Sequence, residues 1–493
     1  MTIKLYNTLT RKREIFRPVQ EGKIGIYTCG ITAYDVCHVG HARSAVVFDV
    51  ITKYLRYRGY EVIFVKNFTD VDDKIIQKSK AAGVDIADIA ERYIREHNED
   101  MDRLGVARPA FSPRATEHIS GMVGLIQQLM EKGLAYAVEG DVYYAVENFR
   151  PYGKLSGRNL DEMMAGARVD VNEKKKNPLD FALWKASKEG EPWWESPWGR
   201  GRPGWHIECS VMSRRFLGDT FDIHGGGEDL IFPHHENEIA QSEGATGKPL
   251  ARYWIHNGFV KINSEKMSKS LNNFFTIQDM LKAYHPEVLR LFLLQSHYRS
   301  PVDFSEDSLA ESRTGMDRFY STLKRIKDLL AVPRPGMVEK PSNLSEGNRQ
   351  QYEKLSSLPG QFIEAMDDDF NTPKALGHVF ETVRLMNGFM AEKGFVSSAE
   401  TALILKNAQD ILTDVGNVLG LFRVDPNLYF KEDREREMAK RGLDMAEIET
   451  LIAERRAARA ARNWHRADEI RDILADKNIA LEDSPMETTW KFE

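Results

Sequence analysis

This sequence has few cysteines, no long apolar run and no excess of positive charge. Three cysteines in 493 residues are too few for a disulfide framework, so we expect reduced thiols or metal ligands. No apolar run approaches the roughly 18 residues of a membrane span, which argues against a membrane protein. The net charge of −6 excludes a general polyanion binder, so any nucleic-acid site must be local. The first residues lack the apolar segment of a signal peptide, and we expect a cytoplasmic location.

Short apolar strands and amphipathic helices alternate in the first half of the chain. The pattern predicts strands at 24–29, 62–65, 221–224 and 253–256, and helices at 42–58, 114–133 and 232–243. Residues 134–203 interrupt this alternation with a predicted hairpin and a basic loop, and from about 276 onward the pattern is helical. The predicted fold is therefore α/β: a split Rossmann-like nucleotide-binding domain with an insertion, followed by α-helical domains.

The tetrapeptide at 38–41 places two imidazoles on one side of a tight glycine turn. His38 and His41 are three residues apart, so at the start of a helix they share a face. Gly40 lets the backbone approach a ligand closely, and the helix N-terminus adds N–H donors suited to phosphate. We therefore predict that this turn binds a nucleotide; the alternative is that the histidines only cap a strand turn.

The pentapeptide at 266–270 carries two ammonium groups on a short, serine-rich loop. Its residues are Lys266, Met267, Ser268, Lys269 and Ser270. Lysines in such a loop could neutralise the charge that builds on a leaving pyrophosphate. The alternative is an ordinary solvated loop, but together with the histidine turn it could hold one ATP from both sides.

Four side chains could form a tetrahedral metal site. Cys29 ends the first predicted strand, Cys209 lies on a predicted helix, and His234 and Glu238 are four residues apart on another helix. Helical geometry favours His234 with Glu238, because residues i and i+4 point the same way while the next histidine turns aside. The sequence leaves competing ligands open: Cys37, His224, His235 and Glu236.

The C-terminal region carries arginines with helical spacing. Arg455, Arg459, Arg462 and Arg466 are spaced 4, 3 and 4 apart, which predicts one basic stripe on a helix. Trp464 and Trp490 are predicted stacking surfaces for single-stranded RNA. The alternative is a solvated helix face, paired with Glu454, Asp468 and Glu469.

These motifs resemble the cysteinyl-tRNA synthetase family of class I aminoacyl-tRNA synthetases. The histidine turn and the lysine loop match the two ATP signatures of class I, and the stretches 204–210, 222–227 and 232–238 resemble this family in particular. The resemblance runs from about Tyr6 to Trp490. One departure is Asn272, where the family pattern has glycine after the lysine loop.

The resemblance implies cysteine activation by ATP and transfer to tRNA(Cys). Cysteinyl-adenylate would form first, and the cysteinyl group would then pass to the 3′-terminal adenosine. His38, His41, Lys266 and Lys269 would be catalytic, and the ATP site would comprise these residues together with Gly40, Met267, Ser268, Ser270 and Asp229. One Zn²⁺ per chain would be bound by Cys29, Cys209, His234 and Glu238. It would select the substrate thiol, because zinc prefers sulfur to the oxygen of serine.

Further contacts are expected around these sites. Trp205 and His206 could wall the cysteine pocket, and Thr69 could contact the substrate amino group. The resemblance aligns Arg459, Trp464, Asp468 and Asp483 with anticodon-contacting positions. We expect ATP-Mg²⁺ and L-cysteine as substrates, tRNA(Cys) as the partner, no membrane association and a monomer.

The expected domains follow the same resemblance. They are the two Rossmann halves at 1–133 and 204–260, the connective insertion at 134–203, the lysine-loop and stem-contact region at 261–315, a helical bundle at 316–425 and an anticodon-binding module at 426–493.

Two other functions stay open on the sequence. One is a ligase that joins cysteine to an amino sugar, as mycothiol-pathway relatives do. The other is a non-catalytic, zinc-dependent RNA-binding protein.

Overall fold

A computed structural model describes residues 2–159, 174–262, 265–266, 275–333, 340–483 and 488–492. Within the lysine loop, Met267, Ser268, Lys269 and Ser270 lie outside the described residues, as does Asn272. The backbone of Lys266 is described, but its side chain is not.

The strands and helices are given in chain order. The strands are β1 Lys4–Asn7, β2 Lys12–Ile15, β3 Lys23–Thr32, β4 Glu61–Thr69, β5 Ala135–Val138, β6 Asp141–Tyr144, β7 Phe181–Ala186, β8 Gly201–Pro203, β9 Phe221–Gly227, β10 Ala251–Asn257, β11 Val260–Ile262, β12 Glu265–Lys266, β13 Val302–Phe304, β14 Ile479–Asp483 and β15 Thr488–Phe492. The first helices are α1 Val39–Tyr57, α2 Asp73–Ala82, α3 Ile86–Arg103, α4 Ile119–Glu131, α5 Trp205–Leu217 and α6 Glu236–Thr246. The later helices are α7 Ile277–Ala283, α8 Pro286–Leu294, α9 Glu306–Ala331, α10 Glu346–Leu355, α11 Leu358–Asp367, α12 Thr372–Ala391, α13 Ala399–Leu419, α14 Pro426–Arg441, α15 Met445–Ala460 and α16 Trp464–Asp476.

A parallel four-stranded sheet in the order β10-β9-β3-β4 forms the centre of the nucleotide-binding domain. Its strands come from both sides of the insertion, so the predicted split α/β architecture is confirmed. α1 connects β3 to β4 and buries an apolar face of Val46, Val50 and Ile51. The carboxyl end of β3 leads directly into the histidine turn, which places that turn at the edge of the sheet where ligands collect.

The insertion folds as its own antiparallel sheet in the order β5-β6-β7-β8. Its buried face packs with α4 and α5 in one apolar cluster that includes Tyr144, Trp184 and Ile207. Because the chain returns from β8 straight into α5, the insertion lies beside the helix that carries Cys209. The proposed domain limits stay predictions.

Two predicted helices begin later than expected. The helix predicted at 114–133 is a 3₁₀ turn, Ala115–His118, followed by α4. The helix predicted at 232–243 begins as an irregular turn, Ile231–His235, before α6. In that turn Phe232 is extended, with φ −137° and ψ 132°, because a residue before proline is pushed away from helical geometry.

A buried ion pair fixes the histidine-turn helix to the helical half of the chain. Arg290 on α8 lies 2.7 Å from Asp49 on α1, and both side chains are 1% exposed. Arg290 also donates to the carbonyl of Leu419 at the end of α13. Three helices from different parts of the chain therefore meet at one guanidinium.

The C-terminal region contains a small separate core, formed by residues that include Ile448, Ile470, Leu474 and Trp490.

The predicted single arginine stripe is wrong. α15 ends at Ala460, Arg462 follows in the left-handed region with φ 58°, and Arg466 lies on α16. Among the described residues, no helix is long and apolar enough to cross a membrane.

Candidate functional site

The histidine turn is held by a reciprocal cap at the N-terminus of α1. The Nδ1 atom of His38 accepts a hydrogen bond from the backbone N–H of Gly40 at 3.1 Å. The Nδ1 atom of His41 accepts one from the backbone N–H of His38 at 3.2 Å. The two rings stack, with centroids 3.8 Å apart and an interplanar angle of 29°.

This cap determines what the two rings can do. Because each Nδ1 accepts a backbone N–H, the proton of the neutral ring resides on Nε2. Burial lowers the pKa of His38 to about 4. Burial and the neighbouring His38 lower the pKa of His41 well below its ordinary value. At neutral pH the rings are therefore two uncharged Nε2–H donors, held side by side.

One cavity connects the histidine turn with a thiol. It has a volume of about 330 Å³, and its lining includes Cys29, His38, Gly40, His41, Lys66 and Asp229. Gly227 at the end of β9 and the segment from Asn257 to Val260 also line it. The lining of this cavity therefore includes both groups that can bind phosphate and a sulfur atom that can bind a metal.

Four predicted ligands from three separate segments meet beside this cavity. One donor atom from each lies within 4.8 Å of the others, in the set Cys29, Cys209, His234 and Glu238. The Cys29 thiol donates to Oε1 of Glu238 at 3.2 Å, and Nε2 of His234 lies 3.2 Å from the same oxygen. Two sulfurs, one imidazole and one carboxylate are a donor set that zinc accepts tetrahedrally.

A second set of four overlaps the first. Cys29, His224, His235 and Glu238 also bring one donor atom each within 4.8 Å of one another. The expectation that His235 turns aside is wrong, because its Nε2 atom lies 3.3 Å from Sγ of Cys29. The reason is the irregular turn that Pro233 imposes: residues 231–235 do not follow the regular helical spacing on which the prediction depended.

The two sets differ in their donors. Nε2 of His224 is 2.8 Å from Oε2 of Glu238, so this atom already contacts a carboxylate that both sets share. Nδ1 of His235 is 2.8 Å from Nε2 of His256, a contact that orients the ring and leaves its Nε2 facing the cluster. These contacts leave both sets open, and Cys209 adds a second sulfur to the first set alone.

The cluster is electrostatically suited to a cation. Burial raises the pKa of the Cys29 and Cys209 thiols and lowers the pKa of His234 well below its ordinary value. Glu238 is fully buried, and a buried carboxylate without a cation is energetically unfavourable. A bound divalent metal would favour thiolates at this position and would offset the carboxylate charge. The residues present therefore fit a metal ion.

The strand that carries Cys29 approaches its neighbour unusually closely. The register of β3 on β4 shifts between Thr28 and Ile31, which is a β-bulge around Cys29 and Gly30. A Cβ atom at Gly30 would lie 1.5 Å from the carbonyl oxygen of Asn67, so only glycine fits. The bulge and Gly30 thus set the position of the thiol.

Comparison with known proteins identifies the family. The model described as "tRNA synthetases class I (C) catalytic domain" matches residues 15–314. A DALR domain matches residues 361–423, and a cysteinyl-tRNA ligase anticodon binding domain matches residues 445–490. The chain belongs to the cysteinyl-tRNA synthetase family. The family predicted from the sequence motifs is confirmed.

Individual relatives agree over the whole chain. The cysteine–tRNA ligase of Trichlorobacter lovleyi is 55% identical over 494 residues, and that of Geobacter metallireducens is 56% identical over 494 residues; each match covers 100% of both chains. Mycobacterium tuberculosis methionyl-tRNA synthetase in complex with methionyl-adenylate has a similar fold, with a TM-score of 0.62 over 80% of this chain and 91% of that one. At 17% identity this structure supports the class I fold alone.

The predicted cysteine-pocket residues of this synthetase lie around the metal cluster. Trp205 is 39% exposed and lies over His234, with ring centroids 4.2 Å apart. Nδ1 of His206 is 2.9 Å from Nδ1 of His234. The Thr69 hydroxyl donates to Oε2 of the buried Glu208 at 2.5 Å. The aromatic side chains therefore lie next to the expected ligands, whereas Thr69 is buried and hydrogen-bonded to Glu208.

The anticodon-binding domain presents only part of the predicted RNA surface. Trp464 starts α16 and is 58% exposed, and Asp468 follows one turn later, 3.3 Å from Arg471. Arg459 lies in the last turn of α15. Asp483 ends β14, and its side chain lies outside the described part of the structure.

Two expectations about this surface are wrong. Trp490 is 9% exposed and packs in the core of the anticodon-binding domain, so it is not an open stacking surface. Arg466 forms ion pairs of 2.8 Å with Glu454 and with Glu469. These pairs agree with the alternative of a solvated helix face whose arginines pair with acidic neighbours.

The sequence analysis missed three residues of the site, namely the half-buried Lys66 and the buried Asn67 and His256. The first two are adjacent on β4, where a lysine and an asparagine interrupt an otherwise apolar strand. That interruption is the signal that could have indicated them. His256 had no comparable signal, because its role depends on the contact with His235.

Proposed function

We propose that this chain is a cysteine–tRNA ligase that uses its metal cluster to recognise the substrate thiol. It activates L-cysteine with ATP and transfers the cysteinyl group to the 3′-terminal adenosine of tRNA(Cys). The observation that carries this proposal is the single cavity that reaches both the histidine turn and Cys29. A cysteine with its side chain at the cluster has its carboxylate on the side of the nucleotide.

The first step is attack of the cysteine carboxylate on the α-phosphorus of ATP-Mg²⁺. The P–O bond to the pyrophosphate breaks, and cysteinyl-adenylate forms. The Nε2–H groups of His38 and His41 donate to phosphate oxygens, and Gly40 permits the close approach. Because burial keeps both rings neutral, they contribute oriented donors rather than positive charge.

The positive charge comes from the lysine loop. Lys266 and Lys269 neutralise the leaving pyrophosphate, and Met267, Ser268 and Ser270 belong to the same ATP-binding motif. Asp229, which follows β9 and lines the cavity, contacts the nucleotide. In the second step the ribose 2′-OH of the terminal adenosine attacks the activated carbonyl, and AMP leaves.

The metal is one Zn²⁺ per chain, bound by Cys29, Cys209, His234 and Glu238. When bound, it supplies a Lewis-acid bond that serine cannot match, since packing alone discriminates weakly over one atom. Both thiols belong to this set, whereas the alternative set has one, and zinc favours sulfur. Trp205 and His206 wall the pocket around the thiol, and Thr69 contacts the amino group of the substrate.

The acceptor is recognised at the other end of the chain. Arg459, Trp464, Asp468 and Asp483 contact the anticodon, with Trp464 as the exposed stacking surface. An amino-sugar ligase would not need the anticodon-binding domain matched at 445–490, which disfavours that alternative. The enzyme acts in the cytoplasm, as a monomer.

Amino-acid-dependent ATP–pyrophosphate exchange without tRNA tests the first step. We expect exchange with cysteine and far weaker exchange with serine. Metal analysis of the same preparation should give one zinc per chain, and charging of tRNA(Cys) tests the second step. No exchange with any amino acid would overturn the proposal and favour a non-catalytic RNA-binding protein.

A control variant separates metal loss from unfolding. Cys209→Ser should lose zinc and cysteine selectivity, whereas Cys37→Ser should keep both. Cys37 is buried against His97, with Sγ 3.1 Å from Nδ1, and lies outside both candidate ligand sets.

A further inference from the structure

A lysine on the central sheet has no ionic partner in the described part of the protein. Lys66 lies on β4, on the sheet face that α1 covers, between the buried residues Phe64 and Phe68. Within the described residues, its ammonium makes no ion pair and no hydrogen bond. Its side chain is half-buried between apolar neighbours and lines the nucleotide cavity, so an anion bound there would stabilise the charge.

The groups around Lys66 do not supply that anion. Burial above all, and then neighbouring cations that include Lys66, lower the pKa of His41 and of His97, so neither ring supplies negative charge. Burial raises the pKa of the nearby Cys37 thiol to about 12, so this group, too, offers Lys66 no negative charge at neutral pH. Asp229 lines the same cavity but lies beyond ion-pair distance of Lys66.

Lys66 lines two of the cavities formed by the described residues, and the larger of these two has room for an anion. The smaller, of about 30 Å³, is lined by Phe64, Phe68 and Arg108, and has room for about one water molecule. The larger, of about 330 Å³, is the nucleotide cavity, where Lys66 shares the lining with His38 and His41. An anion that reaches Lys66 therefore enters from the nucleotide side.

We propose that Lys66 is a third cationic phosphate contact of the nucleotide site, in addition to the two lysines of the loop at 266–270. This inference rests on the proposed function, because it takes the ligand of the cavity to be ATP. The ammonium approaches the phosphates from the sheet, in the cavity that the histidine turn also lines. Lys66 is positioned by β4.

The test is equilibrium binding of ATP-Mg²⁺ and of adenosine to the full-length chain. Lys66→Met removes the charge at similar length, Lys66→Arg keeps it, and Lys406→Met is the control, since Lys406 pairs with Asp410 on the surface of α13. We expect Lys66→Met to weaken ATP binding by about 10- to 100-fold, as loss of a charged hydrogen bond does. Adenosine binding should change by less than about threefold, and Lys66→Arg should restore most of the ATP affinity.

Other outcomes would overturn the inference in distinguishable ways. Equal loss of ATP and adenosine affinity would mean that Lys66 only supports the fold of the cavity. Unchanged ATP affinity in folded Lys66→Met would mean that no phosphate reaches it. Failure of the wild-type chain to bind ATP at all would instead contradict the proposed function.

A second measurement avoids variants that fail to fold. Burial lowers the pKa of the Lys66 ammonium, so a small amine-acylating reagent should modify it in the wild-type chain. Peptide mass spectrometry then gives the modified fraction at that position. We expect ATP-Mg²⁺ to protect Lys66 and adenosine to leave it reactive. Equal reactivity with and without ATP would refute the contact.

Discussion

Replacing Asn67 should weaken metal binding without removing any metal ligand. The Oδ1 atom of Asn67 accepts from the backbone N–H of Gly30 at 2.9 Å and faces Sγ of Cys209 at 3.7 Å. One side chain therefore holds the bulge that carries Cys29 and also contacts the second thiol. Asn67 is 1% exposed, so water cannot readily replace it.

The structure allows the size of the effect to be worked out. Asn67→Ala leaves the N–H of Gly30 without its acceptor, which costs about 1–3 kcal/mol for a buried donor. The lower end of that range applies here because this N–H is only partly buried. Loss of a group that orients metal ligands typically lowers metal affinity by about 10- to 100-fold. The loss of stability and the loss of metal affinity should appear together, since Oδ1 of Asn67 makes both contacts.

Competition with a chromophoric zinc chelator measures the affinity, and thermal unfolding with and without zinc measures the stability. Asn148→Ala is the matched control, because Nδ2 of Asn148 donates to the carbonyl of Gly133 on the exposed surface. The control should leave zinc affinity unchanged. If Asn67→Ala lost stability but bound zinc as tightly as the wild type, the argument that Asn67 positions the two thiols would be wrong.

Three further predictions concern stability and RNA. Arg290→Met removes one of the two cations that pair with the buried Asp49, leaving Lys53, and should destabilise the chain by about 1–3 kcal/mol in urea unfolding, with partial recovery in the double variant that also carries Asp49→Leu. Burial lowers the pKa of His285 to about 3 from an ordinary value of 6.5. As the pH falls, His285 is therefore protonated in the unfolded chain before it is protonated in the folded chain. The free energy of unfolding should fall as the pH drops below 6.5, by up to about 1.4 kcal/mol per pH unit, and His285→Asn should reduce this slope. Trp464→Ala should raise the KM for tRNA by about 5- to 150-fold, the range for one lost stacking contact, and leave pyrophosphate exchange unchanged.

Local patterns were enough to predict most of the nucleotide-binding half. The strands at β3, β4, β9 and β10 were recognisable as short apolar runs, and α1 by its helical spacing. The reciprocal cap of His38 and His41 depends on residues only three apart, so a single turn contains all of its information. These strands, this helix and this cap depend on contacts between residues close together in the chain, and they can therefore be predicted from the local sequence.

The misjudged features depend on irregular backbone or distant contacts. His235 reaches Cys29 because Pro233 interrupts the helix, and regular helical spacing could not anticipate its direction. Trp490 is buried because it packs against Ile448 and Ile470 across the small C-terminal core. The arginine stripe failed because the helix ends after Ala460, which four well-spaced arginines do not reveal.

The neutral histidines imply that hydrogen-bond donors and cations have separate roles inside the nucleotide cavity. Two stacked rings at 3.8 Å could not both be protonated without strong repulsion, and burial already disfavours their charged forms. They can therefore orient phosphate oxygens but cannot neutralise the charge that develops on pyrophosphate. That charge must be met by cations, and in the described structure the nearby cation that lines the cavity is Lys66. A cation positioned by the sheet would hold the phosphates of bound ATP, so loss of Lys66 should impair ATP binding more than loss of Lys266 and Lys269, whose charge is needed mainly as pyrophosphate leaves.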